Sequence, residues 1–194
     1  MSQVLPIIQA GTPILYKCAK AVSFPLTQEV MAHANNMIAT LKSTDGLALA
    51  APQANIPLRL LVVSIPKVAP AKRYDFLSDP NHKAFPLTVL VNPTLTELSK
   101  EKIEGWESCL SFPGYRGKVS RHQSLTCNWF DLEGNQHSQR LEGFNARVIQ
   151  HEYDHLDGIV YIEKITDFST FTAIVDTQLP QTSSVAPRNS SEST

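Results

Sequence analysis

The stretch Gln150-His151-Glu152-Tyr153-Asp154-His155 constrains this chain more than any other. An α-helix stacks residues four apart on one face, so a helix here projects His151 and His155 side by side. Two imidazoles on adjacent turns can grip one metal ion. Glu152, next to the first of them, is placed to handle a proton of water at that ion. The plain alternative is two surface histidines on a polar helix. A catalytic reading requires the chain to supply a third ligand and a group that binds an electrophile.

Composition narrows the class. With 194 residues, the chain fits one domain, or a domain of about 150–170 residues with a tail. An apolar fraction of 42% and a charged fraction of 18% are ordinary for a soluble globular protein. The net charge of −1 gives no electrostatic case for nucleic acid or an anionic membrane as partner. No apolar run approaches the ~18–20 residues of a membrane span. The N-terminus, Met1 to Pro6, lacks the basic segment and apolar core of a signal peptide. Three cysteines, Cys18, Cys109 and Cys127, have no paired spacing, which points to a reducing, cytoplasmic setting.

Residues 5–24 read as an irregular arm. A helix follows, with Thr27 as N-cap and Val30, Met31, Ala34, Met37, Ile38 and Leu41 recurring at helical spacing. Gly46 to Gln53 is a run of small residues that lets a ligand or a second backbone come close. Its one amide, Gln53, is either a donor into a cavity or part of a tight-packing loop. Leu58 to Ile65 reads as a buried strand, 66–86 as a long loop, and Thr88 to Asn92 as a strand stopped by Pro93. Thr94 to Ile103 continues as an alternating strand, and Gly105 to Gly114 interrupts the pattern. Strands are expected at 118–122, 124–131 and 136–141, with a hairpin turn at Glu133-Gly134-Asn135. The motif helix spans Phe144 to His155 and stops at Gly158, and Ile159 to Ile162 adds a short strand. The domain is expected to cover 1–166. The 167–194 extension has the composition of a disordered tail from about residue 180.

Cys109 is the best third ligand among the cysteines, because it lies in a Gly- and Pro-rich segment between Glu107 and Ser111. A buried structural cysteine is the competing reading. One thiolate and two imidazoles leave an open position, as in catalytic sites.

Together, Gly46 to Gln53, Glu107 to Ser111 and Gln150 to His155 resemble, in the same order, the three motifs of the peptide deformylase family. Ile8 to Leu15, Pro113 to Arg121 and His155 to Gly158 extend the likeness over roughly residues 5–165. The resemblance implies an α+β fold, with antiparallel sheets packed around the helix that carries His151 and His155. It also implies hydrolysis of the formyl group from the N-terminal methionine of nascent chains. Cys109, His151 and His155 would hold one divalent metal, iron(II) as the native ion, with zinc or nickel able to replace it. Glu152 would move the proton from water to the leaving amine, and the Gln53 amide and Leu110 N–H would hold the oxyanion. Gly46, Leu47, Ala48 and Ser108 would contact the substrate. Phe144 and Val148 lie seven and three positions before His151 on the same helical face. With Leu47 they either form an apolar pocket for methionine or simply pack in the core. Arg116 and Arg121 are candidates to hold Glu107.

Two family glycines are replaced here, by Ala48 and Ser108. They motivate the alternative of a paralogue with altered substrate, or one that binds peptide N-termini without turnover. A zinc peptidase is the second enzymatic alternative, but it needs a ligand downstream and no histidine follows His155. No basic C-terminal helix of the kind some members use near the ribosome is present, so the sequence gives no support for that contact.

Overall fold

The apolar run Leu60–Ile65 forms strand β2, buried on both faces, and the architecture follows from covering those faces. The computed structural model describes residues 2–67 and 83–174. Strand β2 pairs antiparallel with β1 (Ala48–Ala50) on one side and β3 (Phe85–Thr96) on the other. Strands β6 (Ser124–Phe130) and β7 (Gln136–Glu142) complete a five-stranded sheet of order β1-β2-β3-β6-β7. Alternation divides its side chains into two cores. Leu49, Leu60, Val62 and Val91 pack with Met37 and Leu41 of helix α1 (Gln28–Lys42). Ala48, Ala50, Leu61, Val63, Leu125 and Cys127 pack with Ala146, Ile149 and Leu156 of helix α2 (Gly143–Leu156). Each fully buried Leu, Ile or Met contributes about 1.5–3 kcal/mol.

A second sheet closes the other side of α2. Strands β4 (Lys102–Cys109) and β5 (Phe112–His122) form a hairpin, to which β8 (Thr172–Ala173) adds, in the order β4-β5-β8. Helix α2 therefore touches β1, β2, β6 and β7 of the large sheet and β5 of the small one. This is the expected α+β fold with a central helix. Gln150 locks the helix in place. Its Oε1 accepts the His122 N–H at 3.0 Å, and its Nε2 donates to the His122 carbonyl at 2.9 Å.

The Thr27 cap holds as expected: its hydroxyl accepts the Val30 N–H at 3.3 Å. Gly158 ends α2 at φ 74°, where a Cβ would lie 2.7 Å from the Lys17 nitrogen. Four expectations need correcting. Pro93 does not stop β3, because the ladder shifts register between Val91 and Thr94 and Asn92 bulges at φ 49°. Proline in that bulge forfeits no ladder bond. After Thr96 the chain turns at Glu97, φ 50°, instead of running on as strand to Ile103. The Gly105–Gly114 interruption is instead the end of β4 and the start of β5, joined by a tight turn at Leu110-Ser111. Ile159 to Ile162 is not a strand: the Ile159 N–H caps the helix at Asp154 O, and Tyr161–Lys164 forms a 3-10 turn. Of the expected 66–86 loop, 68–82 lies outside the described residues, and Phe85 and Pro86 already belong to β3. The tail from 175 also lies outside them, and just before it Phe168–Thr170 and β8 pack on the small sheet.

Candidate metal centre

Strand β4 delivers Cys109 to the face of α2 that carries His151 and His155. The Cys109 sulfur lies 3.3 Å from His155 Nε2, and one ligand atom from each of the three residues falls within 4.8 Å of the others. All three are buried. His151 Nδ1 hydrogen-bonds Glu107 Oε2 at 2.9 Å, which assigns the proton to Nδ1 and leaves Nε2 as a lone-pair donor. His155 is held well below its ordinary pKa by burial and by its neighbour His151, so it stays neutral, as a ligand must. For His151, burial opposes the charged form, but the Cys109 sulfur and the Glu107 carboxylate more than offset it and raise the pKa. The donor set, one soft thiolate and two imidazoles, fits a first-row divalent metal.

Glu107 sits behind His151 and is itself tightly held. Burial pushes its carboxyl up, yet bonds from Arg121 and His151 more than reverse this and keep it well below the usual carboxylate range. Arg121 grips it with two bonds of 2.9 Å and continues to Asp154. Arg116, the other candidate, lies instead over the Trp106 ring at 4.6 Å.

On the opposite wall, the 3-10 turn Ala51–Ala54 presents Gln53. The Gln53 amide nitrogen points at the Cys109 sulfur and the Ser111 hydroxyl, each at 3.3 Å. Glu152 is buried, with Oε2 lacking a partner among the described residues, and burial pushes its pKa up to about 7. Gln53, Cys109, Leu110, His151 and Glu152 line one cavity, along with Gly46, Leu47, Ala48, Ser108, Phe144 and Val148. Of the expected ligands, catalytic residues and substrate contacts, only His155 stays outside the lining, fully buried behind Cys109.

A family model described as polypeptide deformylase matches residues 4–170. Peptide deformylase 2 of Ralstonia nicotianae is 38% identical over 179 residues, covering 91% of this chain and 97% of that protein. Peptide deformylase 2 of Pseudomonas syringae pv. tomato is 43% identical over 145 residues, 75% of this chain and 76% of that protein. Among solved structures, the Met-Ala-Ser-bound class I type b peptide deformylase from Acinetobacter baumannii superposes with a TM-score of 0.76. It is 36% identical and covers 85% of this chain and 100% of that one. The chain belongs to the polypeptide deformylase family. That membership favours a deformylase over a non-catalytic binder.

The two replaced glycines are accommodated in this deformylase without backbone strain. Ala48 and Ser108 lie in strands β1 and β4, and neither is among the described non-glycine residues with positive φ. Both strands are sheet edges, and Ala48 and Ser108 line the cavity. Two lining residues escaped sequence reading, Trp106 and Arg147. Arg147 carried a usable signal, since it lies four residues before His151 on the same helical face. Trp106 carried none, because its strand was not legible.

Proposed function

We propose that this deformylase hydrolyses the formyl group from N-formyl-methionine peptides of nascent chains, with one divalent cation held by Cys109, His151 and His155. The observation that carries the reading is the meeting of that donor set with the Gln53 amide and the Glu152 carboxyl in one cavity. Iron(II) is the native ion on this reading, with zinc or nickel as substitutes, because thiolate and imidazole donors suit these metals. The cation would supply Lewis acidity, lowering the pKa of a water in the cavity and polarising the formyl carbonyl.

The chain's own residues do the rest. Glu152 removes a proton from the attacking water, whose oxygen bonds to the formyl carbon. The Gln53 Nε2 and the Leu110 N–H donate to the oxyanion that develops. As the C–N bond breaks, Glu152 returns its proton to the amine nitrogen, and formate and a free N-terminus leave. A carboxyl poised near 7 can both accept and release that proton at neutral pH. Leu47, Phe144 and Val148, with Gly46, form an apolar wall for the methionine side chain, and Ala48 and Ser108 offer strand edges to the peptide backbone.

No helix among the described residues is long and apolar enough to cross a membrane. A cytoplasmic location, with nascent chains as partners, is part of this proposal. The test is formate release from formyl-Met peptides by iron-loaded protein prepared without oxygen. Turnover that Glu152→Ala abolishes supports the reading. Stoichiometric metal without formate rejects it.

A further inference from the structure

Arg147 takes no part in the steps above, yet both terminal nitrogens of its guanidinium are hydrogen-bonded. Nη1 donates to Glu107 Oε1 at 2.9 Å, Val119 O at 2.7 Å and Gly105 O at 3.3 Å, and Nη2 donates to Ile103 O at 2.6 Å. The group lies flat against Gly105, where a Cβ would fall 2.8 Å from Nη2 and 2.9 Å from Cζ. A side chain at 105 and a guanidinium in this seat exclude each other. The small residue in β4 is therefore the other half of the arginine site.

The consequence reaches the metal ligands through Glu107. Its Oε1 accepts from Arg121 Nε and Arg147 Nη1, and its Oε2 from Arg121 Nη2 and His151 Nδ1, each at 2.9 Å. A carboxylate has about four lone-pair positions, and all are used here. Without Arg147, Glu107 loses one of its two cationic partners and one of the bonds that fix its plane.

We propose that Arg147, seated on Gly105, is a positioning residue for the metal centre. It fixes Glu107, and through Glu107 the orientation and donor strength of His151. This rests on the metal-site reading above. The competing role is a purely structural tie between α2 and the β4–β5 hairpin, and the two make different predictions.

The experiment titrates the metal-free full-length protein with cobalt(II), reading affinity and the visible ligand-field absorption, beside thermal melting. Arg147→Met is expected to weaken cobalt binding by about 10–100-fold and to shift the absorption bands. Arg147→Lys keeps the cation and should recover part of the affinity. Gly105→Ala keeps the arginine but displaces its guanidinium, so it should shift the bands in the same direction. If Arg147→Met does not fold, the other two variants carry the same test. Lower melting temperatures with wild-type affinity and spectrum would overturn the inference. A wild-type protein that binds no cobalt overturns the metal-site reading and this inference with it. Wild-type binding with unaltered variants overturns this inference alone.

Discussion

The backbone N–H of Ala50 donates to Gln53 Oε1 at 2.9 Å, and that bond decides which end of the amide faces Cys109 of the Cys-His-His cluster. With the oxygen taken, Nε2 must turn toward the Cys109 sulfur. In the proposed reaction, a donor rather than an acceptor therefore stands where negative charge develops. Gln53→Leu keeps the approximate volume and removes the donor. Its kcat for formate release should fall by about 10²–10³, with KM changing far less. Initial rates over a range of formyl-Met peptide concentrations check this. An unchanged kcat would remove Gln53 from the reaction.

Glu152 combines a burial-raised pKa of about 7 with an oxygen that has no partner among the described residues. Both suit a group that carries a proton. Glu152→Gln preserves shape but cannot exchange that proton, so kcat should drop by about 10²–10⁴. Metal content measured on the same sample should equal that of wild type. Loss of metal in step with activity would make Glu152 a structural support.

How much of this was legible in the sequence depended on how local the cause was. His151, His155 and the stop at Gly158 follow from helical spacing and a left-handed glycine, and both hold. The apolar run at 60–65 announced a strand buried on two faces. Pro93 misled because its local rule was overridden by the Asn92 side chain, which holds the bulge to Val22 N and O at 2.8 Å each. Cys109 reaches the histidines only through the β4–β5 hairpin and the packing of α2, so spacing alone left its role open. The same distance hid Arg147, whose partners lie 28–44 residues away on two strands.

Arg121 joins two carboxylates in the interior. It pairs with Glu107 and with Asp154, and its side chain is only 6% exposed. Arg121→Met leaves Asp154 without this partner and Glu107 with two of its four bonds. Removing one member of a buried ion pair costs about 3–5 kcal/mol. Urea unfolding followed by circular dichroism should show a lower midpoint with little change in slope. A loss under about 1 kcal/mol would mean the carboxylates find water instead.

The three cysteines should differ sharply in reactivity. Cys18 is exposed, whereas Cys127 points from β6 into the core, where burial pushes its thiol up to about 12. In metal-loaded native protein, only Cys18 should react rapidly with a thiol reagent at pH 8, and Cys127 should label only after unfolding. The same shift sets an alkaline limit. The unfolded chain releases this proton near 9.0 and the native one near 12, so the linked stability is complete below pH 9 and declines as pH rises toward 12. Denaturation midpoints taken from pH 8 to 11 test the sign. Rapid labelling of Cys127 in the folded state would contradict its burial.

Gln150 tests whether the helix is held by its packing or by specific bonds. Its amide satisfies both the N–H and the carbonyl of His122, and a further bond of 3.0 Å runs to Ala146 O. Gln150→Leu is similar in volume but leaves the two His122 backbone groups without those partners. Each unsatisfied buried group costs about 1–3 kcal/mol, so the variant should lose about 2 kcal/mol or more in urea unfolding. Because Gln150 immediately precedes His151, a proposed ligand, the backbone of that histidine shares the slack. Metal affinity should therefore weaken along with stability. If stability falls while affinity stays at the wild-type value, the grip of Glu107 on His151 is enough to hold the ligand without the Gln150 anchor.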